Sequence, residues 1–391
     1  MTATEFLELF LSVSLQAAVI VSTTNWIGKL TDDERTHCRL WTVCYSALLL
    51  LVVNAAALPH VRMLQPLRPL ARPLAADIVS LEMQLGSVLF WMWIAGGAGS
   101  LGLFIYHSVQ GVKFLRTCQA IDPDVIALPP LSNGQSSGQA VRVGGRAIRL
   151  VSTTAITPPF CWQFHEPYIV IPESLLTYEH DDFKYVLRHE LAHLHTGHPL
   201  QVFLQRTVEF LFWFHPMVWW ASREWSLARE FMCDDEAVKS RGDIVRYLKT
   251  LLMIVEQTVS EERTNSTLAF VRNRCEMAER ARRLVRIAQQ NRPAELPAAT
   301  RRAGFATALL LAVAVVSSSF VWLPVNVLAS PNSHWSPWPA WSAGVLNDFG
   351  VKARDFEIYD HRYALHEIYD EDCPTESVSS TNNTSPANQP E

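Results

Sequence analysis

His189-Glu190-Leu191-Ala192-His193 puts two imidazoles and a carboxylate within five residues. On an α-helix, residues i and i+4 share a face, so His189 and His193 point together and can hold one metal ion between them. Glu190 sits beside that face, where its carboxylate can take a proton from an attacking water without being a ligand. This is the chemistry of metal-assisted peptide hydrolysis, and the cofactor it calls for is zinc. Asp181 and Asp182 offer N-cap chemistry ahead of the motif, and Gly197 with Pro199 offers a stop after it. Leu187, Leu191 and Leu194 fall at i, i+4 and i+7, an apolar stripe roughly opposite the histidines. One face packs and the other coordinates.

A catalytic zinc takes three protein ligands and keeps its fourth position open. His195 and His198 are near in sequence. A motif with Gly three residues and His six residues after the second histidine fails here, because Gly197 and His198 each miss by one, in opposite directions. Glu230 is the better candidate. It lies in Ala228-Arg229-Glu230-Phe231-Met232-Cys233-Asp234-Asp235, a second helix on which Asp234, one turn later, can hold an imidazole N–H. Spacing alone leaves Glu230 equally readable as a surface carboxylate in an acidic run. Cys233 reads as a small buried residue rather than a metal-facing one.

The blocks around these residues form a larger pattern. The zinc motif, then Phe214-His215-Pro216-Met217-Val218-Trp219-Trp220, then Glu230 through Asp234, resemble the BlaR/MecR-type membrane metallopeptidases. Thr157-Pro158-Pro159-Phe160 and Tyr168-Ile169-Val170-Ile171-Pro172-Glu173-Ser174-Leu175 resemble the segment that precedes the zinc helix in that family. The similarity covers roughly residues 5–325, and His215 departs from the family's usual polar residue. The resemblance implies that His189, His193 and Glu230 are zinc ligands and that Glu190 is the catalytic base. It also implies a cytoplasmic protein substrate, typically a transcriptional repressor.

Composition fits a membrane protein: 391 residues, 49% hydrophobic and 18% charged. Residues 9–27, 40–58, 85–106 and 303–323 are each about long enough to cross a bilayer, and none carries Asp, Glu, Lys or Arg. Glu5 and Glu8, with no Lys or Arg beside them, make the first a retained helix rather than a cleaved signal. Trp26, Trp41 and Trp322 lie near span ends. The apolar stretch 202–214 contains Arg206 and Glu209 and is too short to span, so it reads as a buried or membrane-abutting helix. Lys113, Arg116, Arg292, Arg301 and Arg302 flank the segment between the third and fourth spans, which puts that segment in the cytoplasm. Arg62, Arg68 and Arg72 argue the other way. Arg280, Arg282, Arg283 and Arg286 read as a basic helix facing lipid head groups.

The expected fold is therefore four transmembrane α-helices with an α+β, mainly helical zinc-metallopeptidase domain inserted between the third and fourth. Its boundaries are a membrane region over 1–106, a cytoplasmic peptidase domain over 107–302, a fourth span over 303–323 and an acidic, largely disordered external tail over 324–391. Residues 122–139 read as a linker, and residues 141–143, 147–151 and 168–171 as strands of a small sheet. An extended substrate can add to the edge of such a sheet. From residue 330 on, ten acidic residues face three basic ones, a net of −7. Trp335, Trp338 and Trp341 read as an interfacial anchor more than a docking stretch. The tail has one lysine, Lys352, and no Ser-x-x-Lys motif, so a β-lactam-binding domain is not expected in it. Seven cysteines give no CxxC pair and no disulfide framework.

The partners expected are a protein substrate, membrane lipid and a second copy of the chain. Direct nucleic-acid binding is not expected at a net charge of −5. The location expected is the cytoplasmic (inner) membrane, multi-pass, with the protease domain facing the cytoplasm. Three readings of function compete: a regulatory protease that cleaves a repressor, a general quality-control protease, and a silent zinc-binding signalling scaffold. An intact Glu190 argues against the last.

Overall fold

The computed structural model describes residues 2–31, 33–62, 72–121, 142–143, 145–156, 158–163, 166–177, 180–238, 240–262, 267–289, 299–323, 325 and 334–355. Helix α1 (Ala3–Gly28) opens on a capping box: the Thr2 hydroxyl accepts from the Glu5 N–H, and the Glu5 carboxylate accepts from the Thr2 N–H. Helix α2 (Glu34–Ala57) is capped by Asp33, which accepts from the Thr36 N–H. Helix α3 (Arg72–Thr117) has 46 residues. At 1.5 Å per residue it is about 69 Å long, more than twice the roughly 30 Å of bilayer hydrocarbon. It therefore runs well past the expected span and feeds directly into strand β1 (Gln119–Ala120).

A hairpin of β2 (Arg142–Val143) and β3 (Arg146–Ala147) precedes β4 (Arg149–Thr153), β5 (Phe160–Trp162) and β6 (Tyr168–Pro172). The main sheet has the order β1-β4-β6-β5, with β4 and β6 parallel and both edge strands antiparallel. The strand expected at 168–171 is present, whereas the hairpin expected between 141–143 and 147–151 closes sooner, between β2 and β3, and residues 149–153 form a separate strand of the main sheet. Edge strands β1 and β5, two and three residues long, are too short to show a sequence period. The expected linker, 122–139, lies outside the described residues.

Beyond the sheet come α4 (His180–His195), α5 (His198–Leu211), α6 (Pro216–Ala237), α7 (Arg241–Glu262), α8 (Thr267–Gln289), α9 (Ala299–Phe320) and α10 (Ala340–Asp348). Leu187, Leu191 and Leu194 on α4 are buried against Leu150, Ile169, Ile171 and Leu175, as the stripe requires. Asp181 and Asp182 are not N-caps. The helix begins at His180, which puts both in its first turn, where acids still favour the helix dipole. Gly197 ends α4 and caps α5 in the left-handed region, φ +69°, with Pro199 in the first turn of α5.

Three helices, α1, α2 and α3, are long and apolar enough to cross a membrane. Against the four spans expected, α9 contributes a shorter apolar stretch, Gly304–Phe320. Nor does the expected boundary at residue 107 divide the core. Val13, Ile20 and Leu48 from α1 and α2 share one buried cluster with Val208, Val218, Ala221, Trp225 and Met232 from α5 and α6, and with Leu310 from α9. Tyr45 of α2 donates to the Val218 carbonyl at 3.0 Å and meets the Ser222 hydroxyl at 2.7 Å. Helix α5 also lies along α3. Phe203 stacks near Phe104 at 5.7 Å, and a Cβ at Gly96 would fall 2.2 Å from the Trp213 ring, so only glycine permits this approach.

Residues 334–355 of the tail are described, and the stretch 377–391 expected to be disordered lies outside the described residues. Trp335 bridges Val61, the Arg62 N–H donates to the His334 carbonyl at 2.9 Å, and the Trp341 indole N–H donates to the Ala56 carbonyl at 2.6 Å. This stretch docks on the loop after α2 rather than acting only as a lipid anchor. Cys373 and the rest of the acidic tail lie outside the described residues.

Candidate metal centre

Four helices converge on one cleft of about 510 Å³. Helix α4 supplies His189, Glu190 and His193, α6 supplies Glu230 and Asp234, α7 supplies Tyr247, and α8 supplies Arg280. The Nε2 atoms of His189 and His193 lie 3.1 Å apart. Glu230 Oε2 lies 3.3 Å from His189 Nε2, and its Oε1 lies 3.5 Å from His193 Nε2. Ligands about 2.0–2.1 Å from a tetrahedral zinc stand roughly 3.3–3.4 Å from one another, so this triangle has the size of one zinc site. Two imidazoles and a carboxylate are also the donor set of a catalytic rather than a structural zinc. The residues fit the ion.

Each donor is held from behind. Tyr247 Oη is 3.1 Å from His189 Nδ1 and donates to Asp234 Oδ1 at 2.6 Å. Asp234 itself lies 3.3 Å from that Nδ1. Arg280 donates to both Asp234 oxygens at 3.0 and 2.5 Å, and its Nη1 is 3.0 Å from Glu230 Oε2. Asp234 is fully buried, which alone would raise its pKa, but Arg280 and His189 hold it down to about 2. Burial likewise opposes charge on Glu230, yet Arg280 and the two histidines keep it well below the usual carboxylate range. For His189 burial disfavours the cation, while Asp234 and Glu230 outweigh it and lift the imidazole to about 9. His193 is pushed down by burial and by the neighbouring His189.

Glu190 is buried, and the Cys161 thiol of β5 lies 3.0 Å from both its carboxylate Oε2 and its main-chain carbonyl. This fixes edge strand β5 against the base. Leu251, Ile254 and Met277 form an apolar wall of the same cleft.

The structure thus brings together His189, Glu190, His193, Glu230 and Asp234. It does not bring in His195, which is exposed. His198 faces the site from behind: its Nδ1 is 2.9 Å from His193 Nδ1, and its pKa is pushed down to about 2 by burial and by His193. Cys233 is fully buried with Sγ 3.4 Å from His198 Nδ1, and His193, His198 and Cys233 form a second trio whose donor atoms approach one another. Tyr247 and Arg280 were missed as site residues. Arg280 is not a lipid-facing arginine but a buried one, and Arg283 pairs with Asp235 and Glu34. A signal existed. Arg280 stands on the buried stripe of α8 with Met277 and Leu284, and Tyr247 on that of α7 with Ile244 and Leu251.

The model of the BlaR1 peptidase M56 family matches residues 33–284. The chain belongs to that family. It is also similar to Regulatory protein BlaR1 of Bacillus licheniformis, 27% identical over 190 residues. That match takes in 49% of this chain and 31% of the relative, so the chain spans about a third of the length of the curated protein it matches. The family is one of peptidases, and α1, α2 and α3 of this chain are long and apolar enough to cross a membrane.

Proposed function

We propose that the protein is a multi-pass membrane zinc endopeptidase that cleaves a cytoplasmic protein, a transcriptional repressor, in signal transduction. The observation that carries the zinc reading is the 3.1–3.5 Å triangle of His189, His193 and Glu230 with Glu190 beside it. The relative's printed name, a regulatory protein, favours a signalling substrate over general quality control. For topology the reading takes α1, α2, α3 and α9 as spans. Its support is that the start of α2 meets α8 through Glu34 and Arg283, while the residues just after α9 meet the start of α1 through Trp322 and Glu8, so the two lie at opposite ends of the bundle. Arg62, which counted against this orientation, lies 3.6 Å from buried Glu8 and so is not a free positive charge.

Zinc, when bound, supplies a Lewis acid that activates water and polarises the scissile carbonyl. Every other task falls to the chain. An extended peptide adds to the sheet at its outer strand β5, so main-chain hydrogen bonds carry its scissile bond across Glu190. Glu190 takes the proton of the attacking water and returns it to the leaving amine. The Leu251, Ile254 and Met277 wall takes an apolar side chain of the substrate.

Glu190→Gln keeps the shape and all three ligands. Loss of a general base typically costs about 10²–10⁴-fold in rate. Cleavage in cells expressing the variant at the wild-type level should therefore drop by that factor or more, with metal content unchanged. Unchanged cleavage would remove the proteolytic reading.

A further inference from the structure

Metal-bound imidazoles are almost always held at their second nitrogen, and that outer bond sets tautomer and ring plane. His189 has Asp234 and Tyr247 for this task. At His193 the nearest such group is another imidazole: His198 Nδ1 stands 2.9 Å from His193 Nδ1, with the two rings at 73°. We propose that His198 is the positioning residue of His193 and the contact through which membrane helix α2 reaches the metal centre. The proposal rests on His193 being a metal ligand.

The proton count has one solution. A neutral His193 that gives its Nε2 lone pair to a cation carries its proton on Nδ1 and donates there. His198 must accept at Nδ1, so its own proton sits on Nε2. That nitrogen faces the Cys38 thiol, in the second turn of α2, at 3.8 Å. The Cys38 thiol in turn donates to Gln201 Oε1 at 3.4 Å. A chain of polar contacts therefore runs from α4 through the first residue of α5 into α2. The reversal at Gly197 makes it, by folding residue 198 back under residue 193. His198 is 1% exposed and Cys38 2% exposed, so water does not compete for these contacts. A displacement of α2 would reach the ligand without passing through the substrate cleft.

The trio His193, His198 and Cys233 offers a rival use of the same atoms, as a second metal site. The two uses exclude each other. An ion on His193 Nδ1 would remove the proton that the 2.9 Å bond requires.

The test measures zinc affinity of the full-length protein in micelles by competition with a chromogenic chelator. Loss of an outer partner typically weakens metal affinity about 10–100-fold. His198→Ala should do so. His198→Asn, which keeps an acceptor where Nδ1 stood, should recover most of the loss, and His198→Gln, which reaches only toward Cys38, should not. Wild-type affinity in His198→Ala, or Asn no better than Ala, overturns the positioning role. Uptake of a second equivalent of zinc that is lost in Cys233→Ser overturns it in favour of the rival site. For the link to α2, Cys38→Ala should weaken binding a few-fold alone and add nothing to His198→Ala, because the two act on one path. Full additivity overturns the link. His193→Ala is the control: if it binds zinc like wild type, the ligand set itself has failed, and not the role of His198.

Discussion

At the scale of single residues, a metal ion on His189 would compete with a proton for one nitrogen. His189 is lifted to about 9 in the metal-free centre, against an ordinary value of 6.5. A group with a raised pKa in the folded state contributes stability that is full below about 6.5 and lost as pH rises through about 9. Between those values the ion must displace the proton. Zinc affinity should therefore rise with pH up to about 9, and uptake near pH 7.5 should release about one proton. Calorimetric titration in buffers of different ionisation enthalpy reads that number, and a count of zero would remove the proton from His189. Glu230→Gln should weaken zinc binding by more than the roughly 10–100-fold that an outer partner costs, because it removes a ligand. Full zinc occupancy in that variant would send the third ligand elsewhere. His189, Glu190 and His193 were legible because one helical turn fixes their geometry. Glu230 was legible only as one choice among several, since its helix approaches from 37 residues beyond His193 and no local period links the two. Arg280 was read wrongly. Four arginines in seven residues look alike until packing decides which one turns inward, and here Asp234 and Glu230 make the buried position favourable for it.

At the scale of elements, α4 is positioned by its back. Leu194 is fully buried against the sheet cluster, and its truncation leaves a cavity rather than a new contact. Leu194→Ala should cost about 2–5 kcal/mol, read as a lower denaturation midpoint in detergent, while zinc content at saturating metal stays near wild type. A midpoint unchanged in the variant would mean that α4 is not held by this face. The same periodicity that makes Leu194 predictable hides the partner of α5 and α6. Hydropathy reports that a face is apolar, not whether lipid, sheet or another helix covers it. Residues 202–214 could be read as a core helix or as one beside the membrane, and α5 has one buried face and one exposed face. Gln205 and Glu209 are buried with Arg229 against α6, while Leu200, Val202 and Phe203 face outward beside α3. The sequence reading set a domain boundary at residue 107 between an apolar segment and a more charged one, and hydropathy could not report that Tyr45 and Trp225, whose rings lie 4.6 Å apart, pack together across it. Helix α6 therefore packs directly on α1 and α2.

At the scale of the whole molecule the two ends of the bundle differ. One holds the metal centre. The other holds a buried polar cluster: the Trp322 indole donates to Glu8 at 2.6 Å, His60 stacks on Trp322, and the tail closes over them through Ser336 and His60, whose side chains meet at 3.0 Å. A buried ionisable residue is costly unless paired, and Arg62 beside Glu8 supplies the pair. None of this was visible in the sequence, because Glu8, Arg62 and Trp322 come together only when the first, second and last apolar helices pack. The arrangement fixes a relative topology that single-residue labelling can test. Phe349 in the tail is 81% exposed, and Arg282 on α8 is exposed on the metal-centre side. With Cys373 replaced by Ser, Phe349→Cys should react with a membrane-impermeant thiol reagent in intact cells. Arg282→Cys should react only after permeabilisation. With Cys118, Cys161 and Cys275 replaced by Ser as well, the buried thiols Cys38, Cys44 and Cys233 should stay silent in both, which leaves the added cysteine as the readout. Two helix ends and the paired Arg62 all lean toward this outcome, whereas Arg68 and Arg72 lean against it by the positive-inside bias. Labelling of Arg282→Cys in intact cells with Phe349→Cys protected would turn the molecule over. The peptidase would then face outward, and a cytoplasmic repressor could no longer be its substrate.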